Sequence, residues 1–285
     1  MRKGEGGDCN GKKEEIIQKM QKSQDYTKTI GNVTGDQKQG TKRKGGVLTD
    51  RDRLACKWVC EQGVMTVDQL WRAVWWNPES SSPRYAYDRV AFLERSGFLQ
   101  PLRTPYSLKT YFKATKQGQE AALALENKEG VAMSLVPLHS PPLNEIAHSD
   151  GLTELRLRVE KQQSEATWKS DRVLMIDPSF PRERFYSHVP DAIWTTPKGS
   201  RIAVEYERTR KTKSRLRLKI ETFSREVARP DRAFDRVLWI GVPGTMQILT
   251  DALKNHPGQT LRTMDQFFLE LKGAPASAVS QQVGE

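Results

Sequence analysis

The sequence has little cysteine, little histidine and no long apolar run. Its three cysteines cannot all pair, and Cys56 and Cys60 lie four residues apart without Cys or His partners at zinc spacing. We therefore expect reduced cysteines that pack in the interior. No stretch of about 18 apolar residues occurs, as a membrane span requires, and residues 1–10 are charged and glycine-rich where a signal peptide needs an apolar core. A cytoplasmic protein without a membrane span is expected.

The motifs of several enzyme classes are also missing. The chain contains neither an H-x-H nor an H-x-x-x-H cluster, which argues against a histidine-based nicking site, and no G-x-x-x-x-G-K-[ST] phosphate loop of an ATPase. Gly241-Val242-Pro243-Gly244 lacks the further glycine and the downstream acid of a dinucleotide site. These absences leave other phosphate chemistry open.

The sequence has fewer acidic than basic residues. The chain has 35 Asp and Glu against 46 Lys and Arg, a formal charge of +11. Such an excess indicates a polyanionic partner, and nucleic acid is the first candidate. No long basic amphipathic helix with an aromatic face supports membrane binding instead.

Composition divides the 285 residues into two predicted domains with flanking segments. Residues 1–46 are rich in Lys, Gly and Gln and predict a disordered basic arm. Residues 47–126 and 146–271 carry the apolar periodicity of folded domains. Residues 127–145, with Pro137, Pro141 and Pro142, predict a linker, and residues 272–285 predict a flexible tail.

The first domain has the element order of a winged helix-turn-helix, which is three short helices followed by a hairpin. Capping residues, apolar spacing and strand alternation predict these elements. The predicted helices are 49–61, 67–75, 83–96 and 115–125, and the predicted strands are 98–102 and 107–114.

Double-stranded DNA is the expected partner of this domain. Ala86, Val90 and Leu93 share one face of the third helix, which leaves Arg84 and Tyr87 on the other face to contact base edges or phosphates. Arg103 and Lys109 belong to the hairpin and are further candidates for DNA contacts. Docking of another protein is the alternative use of such a domain.

The second domain is predicted to be α/β with the order α-β-β-β-α-β and a mixed sheet. A stripe of Leu216, Ile220, Phe223 and Val227 marks its second helix. The other predicted elements are a helix over 148–161 and strands over 172–176, 190–196, 201–207 and 236–241.

Three acids are expected to meet on one side of this sheet. Asp191 begins one strand, and Glu205 and Glu207 point to one face of the strand hairpinned to it. Converging carboxylates repel one another unless a cation neutralises them, and hard oxygen ligands favour Mg²⁺ or Mn²⁺. Salt bridges to the adjacent basic helix are the alternative role.

A run of basic residues follows Glu207 directly. Phosphates are its natural ligand. Lys219 lies about 60° from the apolar stripe of the helix, so its side chain is expected to turn toward the sheet. The bases are Arg208, Arg210, Lys211, Lys213, Arg215, Arg217 and Lys219.

Pro190-Asp191 and, fourteen positions after Asp191, Glu205-Tyr206-Glu207 stand within the order α-β-β-β-α-β and resemble the PD-(D/E)xK nuclease superfamily. That superfamily usually has lysine where Glu207 stands, and the resemblance implies that Lys219 supplies it. With the upstream winged helix and His148, the chain is similar to the replication-relaxation family and the MOB-C mobilisation relaxases.

This resemblance implies a metal-dependent DNA endonuclease that nicks a plasmid or integrative element at a transfer origin, together with accessory proteins. Asp191, Glu205 and Glu207 would hold the metal. Glu154 would be the acid on the first helix, or else a surface residue, and His148 would orient a ligand or simply cap or pack. The alternatives are a non-catalytic replication or transfer accessory protein on a degenerate nuclease fold, and a transcriptional regulator.

Overall fold

A computed structural model describes residues 46–76, 82–105, 107–128, 136, 138, 139, 141–185 and 188–272. The described residues from Val47 onward form one compact unit. The predicted arm and tail lie outside the described residues, except for Gly46 and Lys272. Within the described part of the chain, no helix has the length and apolar character needed to cross a membrane.

The first part of this unit contains four helices and three strands. Capping boxes at Thr49 and Thr66 begin the first two helices, and Pro83 precedes the third. The strands form an antiparallel sheet in the order β1-β3-β2. The elements are α1 (Asp50–Gln62), β1 (Met65–Thr66), α2 (Val67–Leu70), α3 (Arg84–Arg95), β2 (Leu99–Thr104), β3 (Ser107–Ala114) and α4 (Lys116–Lys128).

The second predicted helix differs from the others. It is α-helical only over Val67–Leu70 and continues as a π-helical turn over Trp71–Trp75. Helices α1 and α3 bury Cys56, Val59 and Val90 in one core together with Phe112 of β3. Cys56 and Cys60 are both buried, which agrees with the packing role that their spacing predicts.

The second part is mixed α/β with a mixed sheet, which confirms the predicted class. Its five strands have the order β4-β5-β6-β7-β8. The pairs β4-β5 and β5-β6 are antiparallel, whereas β6-β7 and β7-β8 are parallel. The elements are α5 (Ile146–Gln162), β4 (Thr167–Ser170), α6 (Asp171–Leu174), β5 (Ala192–Thr195), β6 (Arg201–Glu207), α7 (Lys213–Val227), β7 (Arg236–Gly241), α8 (Pro243–Leu253), β8 (Gln259–Thr263) and α9 (Met264–Leu271).

Both faces of the sheet are covered. Val204 and Tyr206 of β6 pack on the α5 side with Leu155. Ala203 packs on the α7 side with Ile220 and Phe223. The acidic positions 205 and 207 alternate with Val204 and Tyr206 and therefore face α7.

The predicted strand over 172–176 is wrong, because Asp171–Leu174 is a short helix and the strand precedes it at Thr167–Ser170. The apolar run at 173–176 resembles a buried strand. The real strand alternates exposed Thr167 and Lys169 with buried Trp168 and Ser170, the pattern of a half-buried edge strand. The order α-β-β-β-α-β therefore holds with a different first strand, and α8, β8 and α9 extend it.

Candidate active site

Two carboxylates face each other at one end of the sheet. Strand β5 pairs with β6 so that Ala192 lies opposite Val204. Extending this register by one residue sets Asp191 opposite Glu205. The convergence of these two acids therefore follows from the pairing of the strands.

Lys219 of α7 completes the pair from above the sheet. Its Nζ contacts Glu205 Oε2, and Lys219 and Glu205 are 7% and 1% exposed. Burial opposes the charge on Lys219, but Glu205 and Asp191 outweigh it and hold the lysine pKa above its usual range. Burial and repulsion from Asp191 raise the pKa of Glu205 to about 8, with Lys219 opposing part of that rise.

Asp191 is kept ionised by its neighbours. Its Oδ2 accepts a hydrogen bond from the Tyr206 backbone N–H at 2.8 Å and lies 3.4 Å from His148 Nε2. Burial favours the neutral acid, but His148 and Lys219 outweigh it and hold the pKa of Asp191 well below its usual range. Burial also opposes the charge on His148, yet Asp191 and Glu205 outweigh it and raise the pKa of this histidine.

Tyr206 supports His148 from the α5 face of the sheet. The two rings stack with centroids 5.6 Å apart. Helix α5 approaches β6 so closely that a Cβ at Gly151 would lie 2.1 Å from Tyr206 Cε1. Gly151, one turn after His148, therefore allows the ring to occupy this position. A glycine in the interior of a helix is the sequence signal for this contact.

Glu207 is buried, with only 5% of its surface exposed, and its Oε2 lies 2.6 Å from Lys211 Nζ. The structure thus pairs Glu207 with the basic run, whereas Glu205 pairs with Lys219. The Glu207 carbonyl also accepts a hydrogen bond from Thr245 Oγ1 at 2.9 Å. This third acid is held by protein groups on the side of α8.

A cleft of about 630 Å³ opens over these residues. Asp191, Glu207, His148 and Lys219 line it, whereas Glu205 lies beneath them. Its remaining basic lining residues are Arg172, Arg208, Arg210, Lys211 and Arg215. The cleft therefore has acids within it and bases around it.

Asp171, which sequence reasoning missed, also lines the cleft. Its backbone N–H donates to the Asp191 carbonyl at 2.9 Å. Enclosure in the cleft and the nearby Asp191 carboxylate raise the pKa of Asp171 to about 6. The available signal was an acid directly after the alternating strand Thr167–Ser170.

The basic loop after β6 has mixed environments. Lys211 forms an ion pair with Glu207, and Arg210 Nε donates a hydrogen bond to the Gly244 carbonyl at 3.2 Å. Arg208 is half-buried, and Lys213 and Arg215 are exposed at the start of α7. Exposed bases thus remain beside the cleft.

Two of the predicted site residues, Glu154 and Lys109, form ion pairs outside the cleft. Glu154 points to the first part of the molecule, where Arg72 binds both of its oxygens at 2.6 and 2.8 Å. Lys109 of the hairpin pairs with Asp150 at 2.9 Å. The other candidate DNA contacts, which are Arg84, Tyr87 and Arg103, are all exposed.

Among the described residues, no group of three or more His, Cys, Asp or Glu side chains has a metal-binding arrangement. The carboxylates that would hold a cation are instead Asp191 and Glu205, which lie opposite each other where neighbouring strands pair. Within the part of the chain that the structure describes, Glu205 Oε1 is buried without a hydrogen-bond partner. Mg²⁺ is often held by one or two carboxylates, with water and substrate phosphate completing its ligands. The pair fits such a cation provided that Lys219 moves off Glu205.

No family model and no curated protein matches this chain. A solved structure of a double mutant of Lactococcus lactis ZitR matches with 13% identity and a TM-score of 0.25, covering 41% of this chain and 74% of that one. A TM-score this low supports neither a fold nor a function. The class of the protein, mixed α/β with a mixed sheet, therefore rests on its own strand topology.

Proposed function

We propose that this protein is a DNA-binding, metal-dependent endonuclease that nicks plasmid or integrative-element DNA during mobilisation. The observation that carries the proposal is the cluster of Asp191, Glu205 and Lys219 beside a cleft with exposed bases. Lys219 comes from the helix after the acidic strand, so a lysine reaches the acids although position 207 holds glutamate. The mobilisation setting rests on the resemblance of the motif order alone.

The first part of the molecule is proposed to grip duplex DNA as a winged helix-turn-helix. Its order of three helices and a hairpin supports this. Helix α3 buries Ala86, Val90 and Leu93 and leaves Arg84 and Tyr87 exposed. Arg103 of the hairpin is exposed and is the proposed contact for a backbone phosphate.

The proposed reaction is hydrolysis, in which a water oxygen forms a bond to phosphorus and the bond to the leaving sugar oxygen breaks. Mg²⁺ or Mn²⁺ held by Asp191 and Glu205 would polarise the phosphoryl oxygen and lower the pKa of water. The charge of Lys219 would stabilise the negative charge that develops on the phosphate. His148, 3.4 Å from Asp191, would orient that carboxylate.

A non-catalytic accessory protein is the second candidate. The observation that favours it is the pairing of Glu205 with Lys219 and of Glu207 with Lys211. These lysines neutralise the acids without a metal. Such a protein would bind the same DNA and leave it uncut.

A nicking assay separates the two candidates. We expect the protein to convert supercoiled plasmid carrying its own element's DNA to open circles with Mg²⁺ or Mn²⁺, but not with EDTA. Asp191→Asn should abolish nicking and keep DNA binding, because one acid near the phosphate is neutralised. Asp251→Asn, at an exposed carboxylate on α8, is the matched control. Bound but uncut wild-type reactions would establish the accessory role.

A further inference from the structure

Helix α5 belongs to both parts of the molecule. Near its start, His148 lies beside Asp191 in the cleft. Two to three turns later, Leu157 is buried in the core that α1 and α3 form. One helix therefore connects the acidic cleft to the surface that carries Arg84.

A buried ion pair fixes this helix to α1. Arg156 is 7% exposed, and its Nη1 lies 2.6 Å from Glu61 Oε2. Its Nε donates to Glu160 at 2.8 Å, and its guanidinium lies 3.7 Å from the centre of the Trp58 ring. Buried pairs contribute little stability relative to apolar packing, and their best-supported role is to select one register.

The end of α1 is also held by the second part. Its last turn contains no basic residue of its own. Arg172 Nε donates to the Cys60 carbonyl at 2.9 Å, and Ser170 Oγ donates to the Glu61 carbonyl at 2.6 Å. These groups satisfy carbonyls that a helix end leaves without partners. Strand β4 and helix α6 thereby fix α1 beside Asp171.

A second set of contacts holds another side of α5. Arg72 binds Glu154 through two hydrogen bonds. Gln69 Nε2 donates to Asp150 at 2.8 Å and to Glu154 at 3.0 Å. Contacts on two sides of one helix oppose both its rotation and its translation.

We infer that α5 holds the DNA-contact surface and the acidic cleft at one fixed separation, and that Arg156 is a positioning residue that sets where the strand is cut. This inference rests on the proposed endonuclease function. The first part then selects the DNA, and the cut falls at a constant offset from its footprint. The substrate is a DNA segment long enough to span both surfaces.

The separation is measured first, without DNA. Spin labels are attached to Glu94→Cys on α3 and Ser214→Cys on α7, both exposed positions, in a Cys9→Ser background. The buried Cys56 and Cys60 stay unlabelled. We expect one narrow distance distribution in the otherwise unchanged protein. A broad or multiple distribution would overturn the inference.

The ion pair that joins α5 to α1, called the joint below, is then removed with Arg156→Met plus Glu61→Gln, so that neither of its two residues is left as an unpaired buried charge. The distance distribution should broaden, while Arg262→Met plus Glu270→Gln, a half-buried pair within the second part, should leave it narrow. Circular dichroism verifies that each variant is folded. Arg156→Lys, which keeps the charge but loses the planar guanidinium, tests the joint more mildly if the double variant does not fold. A narrow distribution in folded joint variants would remove Arg156 from this role.

Nick positions are mapped on supercoiled plasmid by primer extension. Wild-type protein should cut at one main position, and the joint variant should lose about tenfold in the ratio of main to other positions. If the joint variant had a broadened distance distribution but kept the wild-type ratio of main to other nick positions, the inference of a fixed offset would be overturned. A wild-type protein with a narrow distance that cuts no DNA would instead overturn the endonuclease function and leave the rigid joint intact.

Discussion

Lys219 and Glu205 each stabilise the charged form of the other, because Glu205 raises the pKa of Lys219 and Lys219 lowers that of Glu205 against the effects of burial and of Asp191. Both side chains are buried, and the lysine reaches the acid from a different element. Asp191 lies close enough to act on both. A change at Lys219 therefore alters the charge of the whole cluster, whereas a change at an exposed lysine does not.

Lys219→Met should lower nicking on the order of 100-fold, because it removes the charge that stabilises the developing negative charge. Plasmid nicking at saturating Mg²⁺ measures this. Lys169→Met, at an exposed lysine paired with Asp177, is the control and should cut at the wild-type rate. Equal rates for the two variants would contradict a catalytic role of Lys219.

Gly151→Ala should reduce the free energy of unfolding by about 1 to 3 kcal/mol, because the new methyl group overlaps the Tyr206 ring. Urea unfolding measures this change. A Cβ at Gly244 in α8 meets no atom within 4 Å, so Gly244→Ala should be neutral or stabilise by about 0.5 kcal/mol. Gly151→Ala should cost less in a Tyr206→Ala background than in the wild type, because the ring that the methyl group overlaps is then absent. An equal cost in both backgrounds would show that the ring contact is not the cause.

At the scale of elements, Asp52 links the start of α1 to α3. It is fully buried, accepts hydrogen bonds from the Thr49 backbone N–H at 2.7 Å and hydroxyl at 2.6 Å, and pairs with Arg89 of α3. Burial opposes its charge, but Arg89 and Thr49 outweigh this and lower the pKa of Asp52 below its usual 3.8. One carboxylate thus caps a helix and orients the exposed face of another.

Asp52→Asn should cost about 3 kcal/mol at neutral pH, because it leaves Arg89 without its charged partner. A lowered pKa stabilises the folded state above pH 3.8, and this contribution is lost as the pH falls through the folded-state pKa. The difference between wild type and variant should therefore shrink on acidification. Urea unfolding between pH 7 and pH 2 measures it. A difference independent of pH would show that shape, not charge, matters at Asp52.

At the scale of the whole molecule, the basic surface contains both exposed bases and bases that are paired with acids. Arg84 and Arg103 are exposed, whereas Lys109 is paired with Asp150 on α5. A paired lysine must give up its carboxylate before it can neutralise a phosphate. The three bases therefore differ in what they can contribute to DNA binding.

Arg84→Ala and Arg103→Ala should each reduce the salt dependence of duplex binding by about one unit in the log–log slope, because one phosphate contact is lost. Lys109→Ala should change it less, and Asp150→Asn should tighten binding by freeing Lys109. Fluorescence anisotropy over a salt series measures the slopes. Arg236→Ala, at the exposed start of β7, is the control. Equal slopes for all variants would show that this face does not contact DNA.

Local patterns in the sequence determine much of the fold. Capping residues at Thr49 and Thr66, the stripe from Leu216 to Val227 and the alternation over 201–207 predict elements that the structure contains. Each pattern acts within one element, since helical and strand periods fix side-chain direction relative to the local backbone. The shared face of Glu205 and Glu207 belongs to this class.

Tertiary structure alone decided the partner of each charge. Glu205 meets Lys219, but Glu207 meets Lys211 and Glu154 meets Arg72. The same packing makes Asp171 a residue of the cleft and places the edge strand at Thr167–Ser170 instead of 172–176. The physical reason is that an ion pair depends on the distance between side chains of different elements, and periodicity along one element does not contain that distance.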